Sequence, residues 1–461
     1  MTGTPPLPHA AVSTAFRNAC LGLLCFALTS SALPNPAFAQ RPTSSDDGQT
    51  SAERRWEALG DPVRSFFTGR DPDRKPGILR WVRLSPRSQF GIGYGPSLDR
   101  ADGFGLLASQ EIRTRGWGPS FSFYEAYGTA SETWSGAAEV RIFPGNGPVA
   151  VGFRWADETR DRPIPRAAVT FTENLLASFF AREDLRDYYR RDARTYYIRY
   201  AFPRLPSERD NSRRRTNGSR PQLSWRSGLI LLYHNERQTS VPRNVQKLGP
   251  FGGDRTFRTN PAIEEGTWDL LQLRASWSPY RPRSVWSQRI MPSILFESIW
   301  AGGRVGDGRS FTRLWAEYRG HTELGSSQGI SYRIGGGTTT QGHVGDDGSL
   351  LPQQWQFQAG GVGTLRGHPF QEFHGDRLLL ATLEYGVEVR TRVRPVLFFD
   401  AGKAWNESED RSGGVGGSGP LALDGGLGIL LGADGFRIDV ARDLRRESAP
   451  ARVSMRLFHT L

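Results

Sequence analysis

The chain has 461 residues and a formal net charge of +12, with 23% of its residues charged. That length allows several soluble domains or one large barrel domain. Its two cysteines, Cys20 and Cys25, lie close to the N-terminus, so the rest of the chain has neither a disulfide framework nor a thiolate for catalysis or metal binding.

Residues 1–39 have the organisation of a secretory signal peptide. An apolar run at 19–28 follows Arg17, and Ala37 and Ala39 have the A-x-A spacing that signal peptidase recognises. The run is too short to span a bilayer as a helix. We predict export with cleavage after Ala39, and since an exported chain does not meet nucleic acid, we predict no nucleic-acid partner.

Residues 40–77 are predicted to be a periplasmic lead segment, partly disordered, because they begin polar and low in hydrophobic residues. Beyond Gln40, no apolar run approaches the roughly 20 residues that a membrane-spanning helix needs. The remaining alternatives are a secreted soluble protein and a barrel that crosses the membrane with strands.

Alternating patterns predict β-strands throughout residues 78–461. In residues 378–390 the odd positions carry Leu, Ala, Tyr and Val, while the even positions include Thr382, Glu384 and Arg390, and a period of two is typical of strands. Alternation alone also fits a soluble sandwich. Long strands, Trp and Tyr at the ends of apolar faces, and the lack of helices to cover a sheet edge favour an all-β, transmembrane antiparallel β-barrel.

The predicted barrel has about 16 strands, an even number as in single-chain barrels. The predicted strands are residues 103–111, 120–127, 134–143, 149–156, 167–172, 194–202, 224–235, 268–278, 290–301, 311–324, 329–340, 378–390, 395–404, 423–431, 436–443 and 451–461.

Residues 174–191 interrupt the strands with a different pattern. Leu175, Leu176, Phe179 and Phe180 recur at helical spacing, with Arg and Asp on the other side, which predicts an amphipathic helix. It either packs on the barrel rim and a neighbouring loop or lies on the lipid surface.

The connection at residues 341–377 is far longer than an ordinary hairpin loop, and its aromatic residues argue against disorder. A barrel of about 16 strands has a lumen too wide for side chains to fill, so we predict that this loop folds inside. Alternation turns Asp400 inward, where its carboxylate can pair through two hydrogen bonds with Arg366. Gly363 and Gly367 are predicted to let the loop turn tightly around that arginine.

Two short motifs carry a family resemblance. The residues concerned are Leu365, Arg366, Gly367 and His368 in the loop, and Phe398, Asp400 and Gly402 in the strand, where Gly402 leaves room for an approaching group. They resemble the Val-Arg-Gly-aromatic and Phe-x-Asp-x-Gly signatures of the BamA/TamA superfamily, the bacterial surface antigen barrels. The resemblance is clearest over residues 353–461 and fainter upstream, where residues 98–109 look like the first strand.

The resemblance implies a sixteen-stranded barrel in the outer membrane of a Gram-negative-type bacterium, with its sixth extracellular loop in the lumen and Arg366 and Asp400 paired. It also implies insertion or translocation of proteins or lipids, without enzymatic activity or a cofactor. The implied partners are outer-membrane lipid, lipopolysaccharide, and unfolded outer-membrane proteins or a periplasmic protein. A weak seam between the first and last strands would open to template a client strand.

The sequence departs from the family pattern at three points, one of which is the final residue, Leu461, where outer-membrane barrels favour an aromatic residue. His368 stands where the family has an aromatic residue, which puts the loop packing in question. About sixty residues separate the cleavage site from the first predicted strand, less than POTRA repeats need, so we expect a member that consists of the barrel alone.

Two other functions remain open at this stage. One is a passive structural or pore-type barrel without a client. The other is a lumenal hydrolase built on Ser327 in the G-x-S-x-G match at 325–329, although this match lies between two strands instead of at a strand-to-helix turn. The seven histidines, from His9 to His459, show no paired ligand spacing, so no metal site is predicted.

Overall fold

The computed structural model describes residues 78–85, 88–114, 119–142, 148–162, 174–175, 177–203, 223–241, 256–277, 293–303, 310–325, 327–343, 351–389, 393–406, 420–431 and 436–457. All of them lie in one compact unit, Glu57–Leu461. The predicted signal peptide at 1–39, the lead segment at 40–77 and the strand at 167–172 lie outside the described residues. Within the described ranges, no helix is long and apolar enough to span a membrane.

The described chain is composed largely of β-strands. In chain order they are β1 (Ile78–Ser85), β2 (Ser88–Asp99), β3 (Gly103–Thr114), β4 (Ser120–Gly128), β5 (Thr133–Ile142), β6 (Val149–Asp161), β7 (Tyr188–Pro203), β8 (Leu223–Ser240), β9 (Gly266–Trp277), β10 (Ser293–Gly303), β11 (Ser310–Glu323), β12 (Gln328–His343), β13 (Phe357–Ala359), β14 (Phe373–Gly375), β15 (Arg377–Val387), β16 (Val393–Trp405), β17 (Ala422–Leu431), β18 (Phe436–Asp443) and β19 (Arg452–Leu457). A π-helical turn, Ala177–Ala181, and a 3-10 turn, Gln353–Trp355, complete the described elements.

Seventeen of these strands belong to one sheet, and β13 and β14 form a separate pair. Each strand from β1 to β12 pairs antiparallel with the next one in the chain. After β12 the sheet continues through β15 to β19 in the same way. The predicted all-β class and antiparallel arrangement are confirmed, because every described pairing in this sheet is antiparallel and joins strands that are consecutive in it.

The two faces of the sheet differ in chemistry as the alternation predicts. On β16, Leu397 and Phe399 are 43% and 48% exposed, whereas Asp400, the residue after Phe399, is 2% exposed. On β15, Leu379 and Leu383 are exposed and Glu384 is buried. Apolar side chains that face outward along every part of a large sheet require a lipid covering. The polar face is therefore the inner one.

The inner face curves around the connection between β12 and β15. This connection is the sixth on its rim of the sheet. Trp355 in it packs against Trp268 of β9, with ring centroids 5.9 Å apart, while the amide of Gly367 donates a hydrogen bond to Asp424 of β17. One segment can reach both strands only if the sheet bends around it, so residues 351–376 occupy the lumen as predicted.

The first strand was placed too late by the sequence pattern. Two strands, β1 and β2, precede Gly103, and β2 pairs with both β1 and β3. In β2, glycines at 91, 93 and 95 face inward while Ile92 and Tyr94 are exposed. Because glycine has no polar side chain, the inward face shows no polar alternation for a pattern search to find.

The predicted helix at residues 174–191 is confirmed only in part: Ala177–Ala181 form a π-helical turn, and the helix does not continue to residue 191. Its last residues belong to β7, whose Tyr188 pairs with Asp161 of β6, and Arg191 forms a buried ion pair with Glu158 at 2.6 Å. These long-range contacts outweigh helical propensity. The structure also pairs β6 directly with β7.

The outward face provides a test of the membrane placement. Leu383 lies beside the middle of β15 and is 49% exposed. A Leu383→Arg variant should lose about 2–4 kcal/mol of folding free energy, because a charge at the bilayer midplane is costly. The measurement is urea unfolding in lipid vesicles, followed by the gel shift between folded and heated protein.

Val389 supplies the matched control, because it is exposed but lies beyond the end of β15. Val389→Arg should cost about 0–1 kcal/mol, the range for positions near the interface. Equal costs at the two positions would mean that this face is not buried in lipid.

Candidate functional site

The loop in the lumen has a defined local structure. Strands β13 and β14 pair through Phe357 and Gly375, and the chain between them forms a compact turn. The amide of Gly361 donates to the carbonyl of Leu365 at 2.8 Å. Gly363 has φ of +89°, a backbone region that favours glycine. This turn holds Arg366 with its side chain directed at the inner wall.

Arg366 and Asp400 form the paired contact that the alternation of β16 predicts. The Arg366 Nε donates to one carboxylate oxygen of Asp400 at 2.6 Å, and Nη2 donates to the other at 2.7 Å. Both side chains are buried. The two parallel hydrogen bonds use the planar guanidinium in a way that a lysine amine cannot reproduce.

Arg366 also joins a larger charged cluster on β15 and β18. Its Nη1 donates to Glu384 at 2.7 Å and lies 3.5 Å from Asp439. Arg437 bonds to the same Glu384 with both terminal nitrogens at 2.9 Å. Arg366 and Arg437 therefore share Glu384 of β15 and Asp439 of β18, and Arg366 also pairs with Asp400 of β16, so the loop is tied to the wall at several points.

Phe398 completes the contact with an aromatic face. The Arg366 guanidinium carbon lies 3.5 Å from the ring centroid, which is a cation-π contact. Burial by itself would lower the pKa of Arg366, but the charges of Asp400 and Glu384 outweigh it, so the pKa lies above its ordinary value. The guanidinium is charged at any physiological pH, and the contact does not depend on titration.

Leu365 and Gly402 pack beside the charged cluster. Leu365 is fully buried in an apolar cluster with Trp315, Phe357 and Leu380. A Cβ at Gly402 would meet Leu380 Cδ2 at 2.7 Å and Leu365 Cδ2 at 3.3 Å. The absence of a side chain at Gly402 therefore lets Leu365 approach the wall, which is the room that the sequence motif predicts.

Gly367 has a different role from the predicted hinge. Its amide donates to Asp424 Oδ2 at 2.7 Å. A Cβ here would lie 2.7 Å from Asp424 Oδ1 and 2.6 Å from the carbonyl carbon of Arg442. Gly367 is needed because the loop backbone comes into direct contact with β17 and β18.

His368 occupies the position where the family has an aromatic residue. Its ring packs against Phe373 with centroids 5.0 Å apart, so it keeps an aromatic contact. It also lies between two acids, with Nδ1 2.9 Å from Asp424 and Nε2 3.4 Å from Asp443. Spacing in the sequence could not reveal this group, because the three residues come from separate elements.

A second anchor of the loop is apolar. Trp355 is 1% exposed and packs against Trp268 of β9 and Phe311 of β11, with ring centroids 5.9 and 5.1 Å apart. Such tilted ring pairs add to the free energy gained from burying apolar surface. The aromatic residues of the loop are thus inserted into the wall, and the sequence argument against disorder is confirmed for them.

Loops of the same rim meet above the lumen. Arg100, between β2 and β3, is fully buried and donates to Asp187 at 2.7 Å. Arg258, before β9, also pairs with Asp187 at 2.6 Å and lies 4.8 Å from the centre of the Phe370 ring. Burial lowers the pKa of Arg258, and attraction to Asp187 opposes that shift. The loops and residues 351–376 form one packed cap.

Sequence reasoning missed several members of these clusters. Arg437 and Asp439 lie in the predicted strand at 436–443 and Asp424 in that at 423–431, but no role is predicted for any of the three. In the sequence, each of these residues is marked only by being charged and at an inward position of its strand. Many residues of the lumen share both properties. Only the placement of the loop decides which of these side chains meet Arg366.

The surroundings of Ser327 do not support the hydrolase interpretation. Ser327 is exposed in the short connection between β11 and β12, where its carbonyl accepts a hydrogen bond from Glu388. A nucleophile elbow needs a strand-to-helix turn. The local fold is instead a strand-to-strand turn.

The anchor can be tested by removing its cation. Arg366→Ala should destabilise the protein by about 3–5 kcal/mol, because Asp400 would remain buried without its charged partner. The measurement is urea unfolding of the protein in vesicles together with limited proteolysis of the loop, which should be cleaved faster in the variant.

Arg445→Ala is the control, since that side chain is exposed and its backbone amide is retained. The control should behave as wild type in both assays. Wild-type stability and protease resistance of Arg366→Ala would refute the anchor.

Comparison with known proteins identifies the family. The model of the Omp85 superfamily domain matches residues 166–448. No curated protein matches the chain at a significant level. Two solved structures are similar at low identity: BamA from Haemophilus ducreyi lacking POTRA domains 1-3 (13% identity, TM-score 0.47, covering 90% of this chain and 79% of that chain), and CdiB from Acinetobacter baumannii (12%, 0.37, 81% and 60%). The family match spans more than half of the chain, which confirms the resemblance seen in the two motifs: the chain belongs to the Omp85 superfamily of outer-membrane β-barrels.

Proposed function

We propose that this barrel inserts or translocates proteins or lipids at the outer membrane, with the loop anchored by Arg366 as the element that keeps its lumen closed. The observation that carries the proposal is the buried contact of Arg366 with Asp400 and Glu384. The motif residues of an insertion and translocation family thus meet in one cluster.

The anchor is placed unevenly around the sheet. Its wall residues lie on β15, β16 and β18, close to the C-terminal end of the strand order. β19 lies at one end of the described strand order, where it pairs with β18 from Phe436↔Leu457 to Ala441↔Arg452. At the other end, β1 pairs with β2.

A terminal strand beside a rigid anchor favours opening at one place. Separating a terminal strand breaks the ladder to one neighbour, and an exposed strand edge can pair with an incoming strand. The charged cluster would hold β15 to β18 together while β19 separates. We therefore place client entry at β19.

The outward side chains near this strand fit lipid contact. Val453 and Met455 of β19 are 68% and 66% exposed. Apolar side chains so placed would face acyl chains or an incoming client strand. Membrane lipid and lipopolysaccharide are the partners that we propose for the remaining outward surface.

Photo-crosslinking in living cells tests client entry. A photoreactive residue at Met455 should capture unfolded outer-membrane proteins, because a client strand would pair near β19. Gly105 lies in the segment 98–109 that resembles the first strand in the sequence. It is unsuitable as a crosslinking position, because it pairs with Ser97 on one side and with Gly128 on the other. Captured proteins are identified by mass spectrometry.

Ile334 is the matched control, because it is 56% exposed on the same face but lies within β12, paired on both sides. Clients should be absent there. Equal capture at Met455 and Ile334, or capture at neither, contradicts client entry at β19.

The rival function, a passive pore, is distinguished by conductance. With Trp355 and Arg366 holding the loop in the lumen, wild-type protein in planar bilayers should show little steady conductance. The double variant Trp355→Ala/Arg366→Ala should release the loop and raise the conductance several-fold. Steady, large conductance of the wild type would favour the passive pore.

A further inference from the structure

We propose that His368, Asp424 and Asp443 form a binding site for one divalent transition-metal ion, with zinc as the best fit. One ligand atom from each residue lies within 4.8 Å of the others, and all three residues are buried. The site joins the loop in the lumen to β17 and β18. It lies next to the Arg366 cluster, because Asp424 is paired with Asp400 across β16 and β17, but it uses other side chains and does not rest on the proposed transport function.

The two acids face each other in a way that calls for a cation. Asp424 and Asp443 are paired residues on adjacent strands, and their side chains are 0% and 5% exposed. Like charges directly opposite one another destabilise a sheet, and more strongly when they are buried. A positive charge between them would remove this repulsion.

Arg446 meets that need only in part. Its Nε lies 3.5 Å from Asp443 Oδ2, but its side chain is 65% exposed. An exposed ion pair contributes little. Asp443 Oδ1 is already engaged by the amide of Arg445 at 2.9 Å, and Asp424 Oδ2 by the amide of Gly367. Each acid thus keeps its other oxygen facing His368.

The contact of His368 with Asp424 is short, but it does not have the geometry of a well-formed hydrogen bond. Nδ1 and Oδ1 lie 2.9 Å apart, yet within the described structure neither buried atom has a hydrogen-bond partner. The distance is short enough for a hydrogen bond, so the direction is what fails. Two ligands with metal bonds of about 2.0–2.1 Å are also roughly 3 Å apart. An ion beside both atoms would satisfy the lone pairs that the protein leaves unmatched.

The donor set selects the class of metal. One imidazole nitrogen and two carboxylate oxygens are ligands that zinc accepts, with water in a fourth position. Calcium and magnesium prefer ligand sets made of oxygen alone. Asp443 is the last residue of β18, so the site lies at the rim that carries the loops.

Zinc binding should be measured on the full-length, folded protein in detergent. After treatment with a chelator and dialysis against zinc, we expect one equivalent bound, by elemental analysis and by titration calorimetry. His368→Gln and Asp424→Asn should weaken binding roughly 100-fold, as the loss of a ligand does at least what loss of a supporting partner does. Asparagine can still accept the Gly367 hydrogen bond, so the loop contact is retained.

His374→Gln is the matched control, because His374 lies in the same loop but is exposed. It should bind zinc as the wild type does. Zinc should also raise the temperature at which the loop becomes sensitive to protease, in wild type and control only, because a ligand that binds the folded state stabilises it.

Three outcomes overturn the site. Wild-type protein that binds no zinc would indicate that a protonated His368 alone bridges the two acids. Zinc bound equally by the wild type and the folded His368→Gln variant would place the ion elsewhere. Equal loss of zinc in His374→Gln would indicate adventitious binding to loop histidines. Folding of each variant is verified by its gel shift on heating, and the wild-type result stands even if a variant does not fold.

Discussion

A guanidinium buried inside a wide barrel is the interaction on which the rest of this structure depends. Arg366 cannot lose its charge, so its burial is tolerable only where carboxylates surround it. Asp400 and Glu384 meet that condition from two adjacent strands, each with a contact of 2.7 Å or less. The position of the loop follows, because no other placement of Arg366 would satisfy both acids and the Phe398 ring.

The anchored loop gives the barrel a packed interior. A sheet of seventeen strands encloses more space than wall side chains can fill. Residues 351–376 bring Trp355, Phe357 and Leu365 into that space, where each is at most 1% exposed. The charged cluster fixes the end of the loop near β16 to β18, and the aromatic cluster fixes the other end near β9 and β11. If either anchor is removed, the other should hold the loop at one end only.

How much the sequence predicts depends on where the information lies. Alternation in β15 and β16 was sufficient to turn Asp400 inward and to pair it with Arg366, because each strand carries its own two-residue period. β2 was not predicted, because its inner face carries glycine. The helical pattern gave a wrong prediction at Tyr188, because the place of this residue in β7 is set by pairing with β6, which is distant in sequence.

The side chains that contact the loop motif likewise fall into two groups, those that the sequence predicts and those that it does not. Asp400 was found because the alternation of its strand turns it inward, and a family motif then marked it as well, whereas Arg437, Asp424 and Asp443 were not singled out. Their roles come from the register of β17 and β18 and from the close approach of Gly367. No spacing along the chain encodes such a meeting of three elements. The metal site proposed for His368 was invisible for the same reason.

The most direct test of the account is a double-mutant cycle between Arg366 and Asp400. Free energies of unfolding in vesicles would be measured for wild type, Arg366→Ala, Asp400→Ala and the double variant. The account predicts a coupling energy of about 2–3 kcal/mol, at the upper end for residues in direct contact, because each single variant leaves a buried charge without its partner. A coupling energy near zero would contradict it.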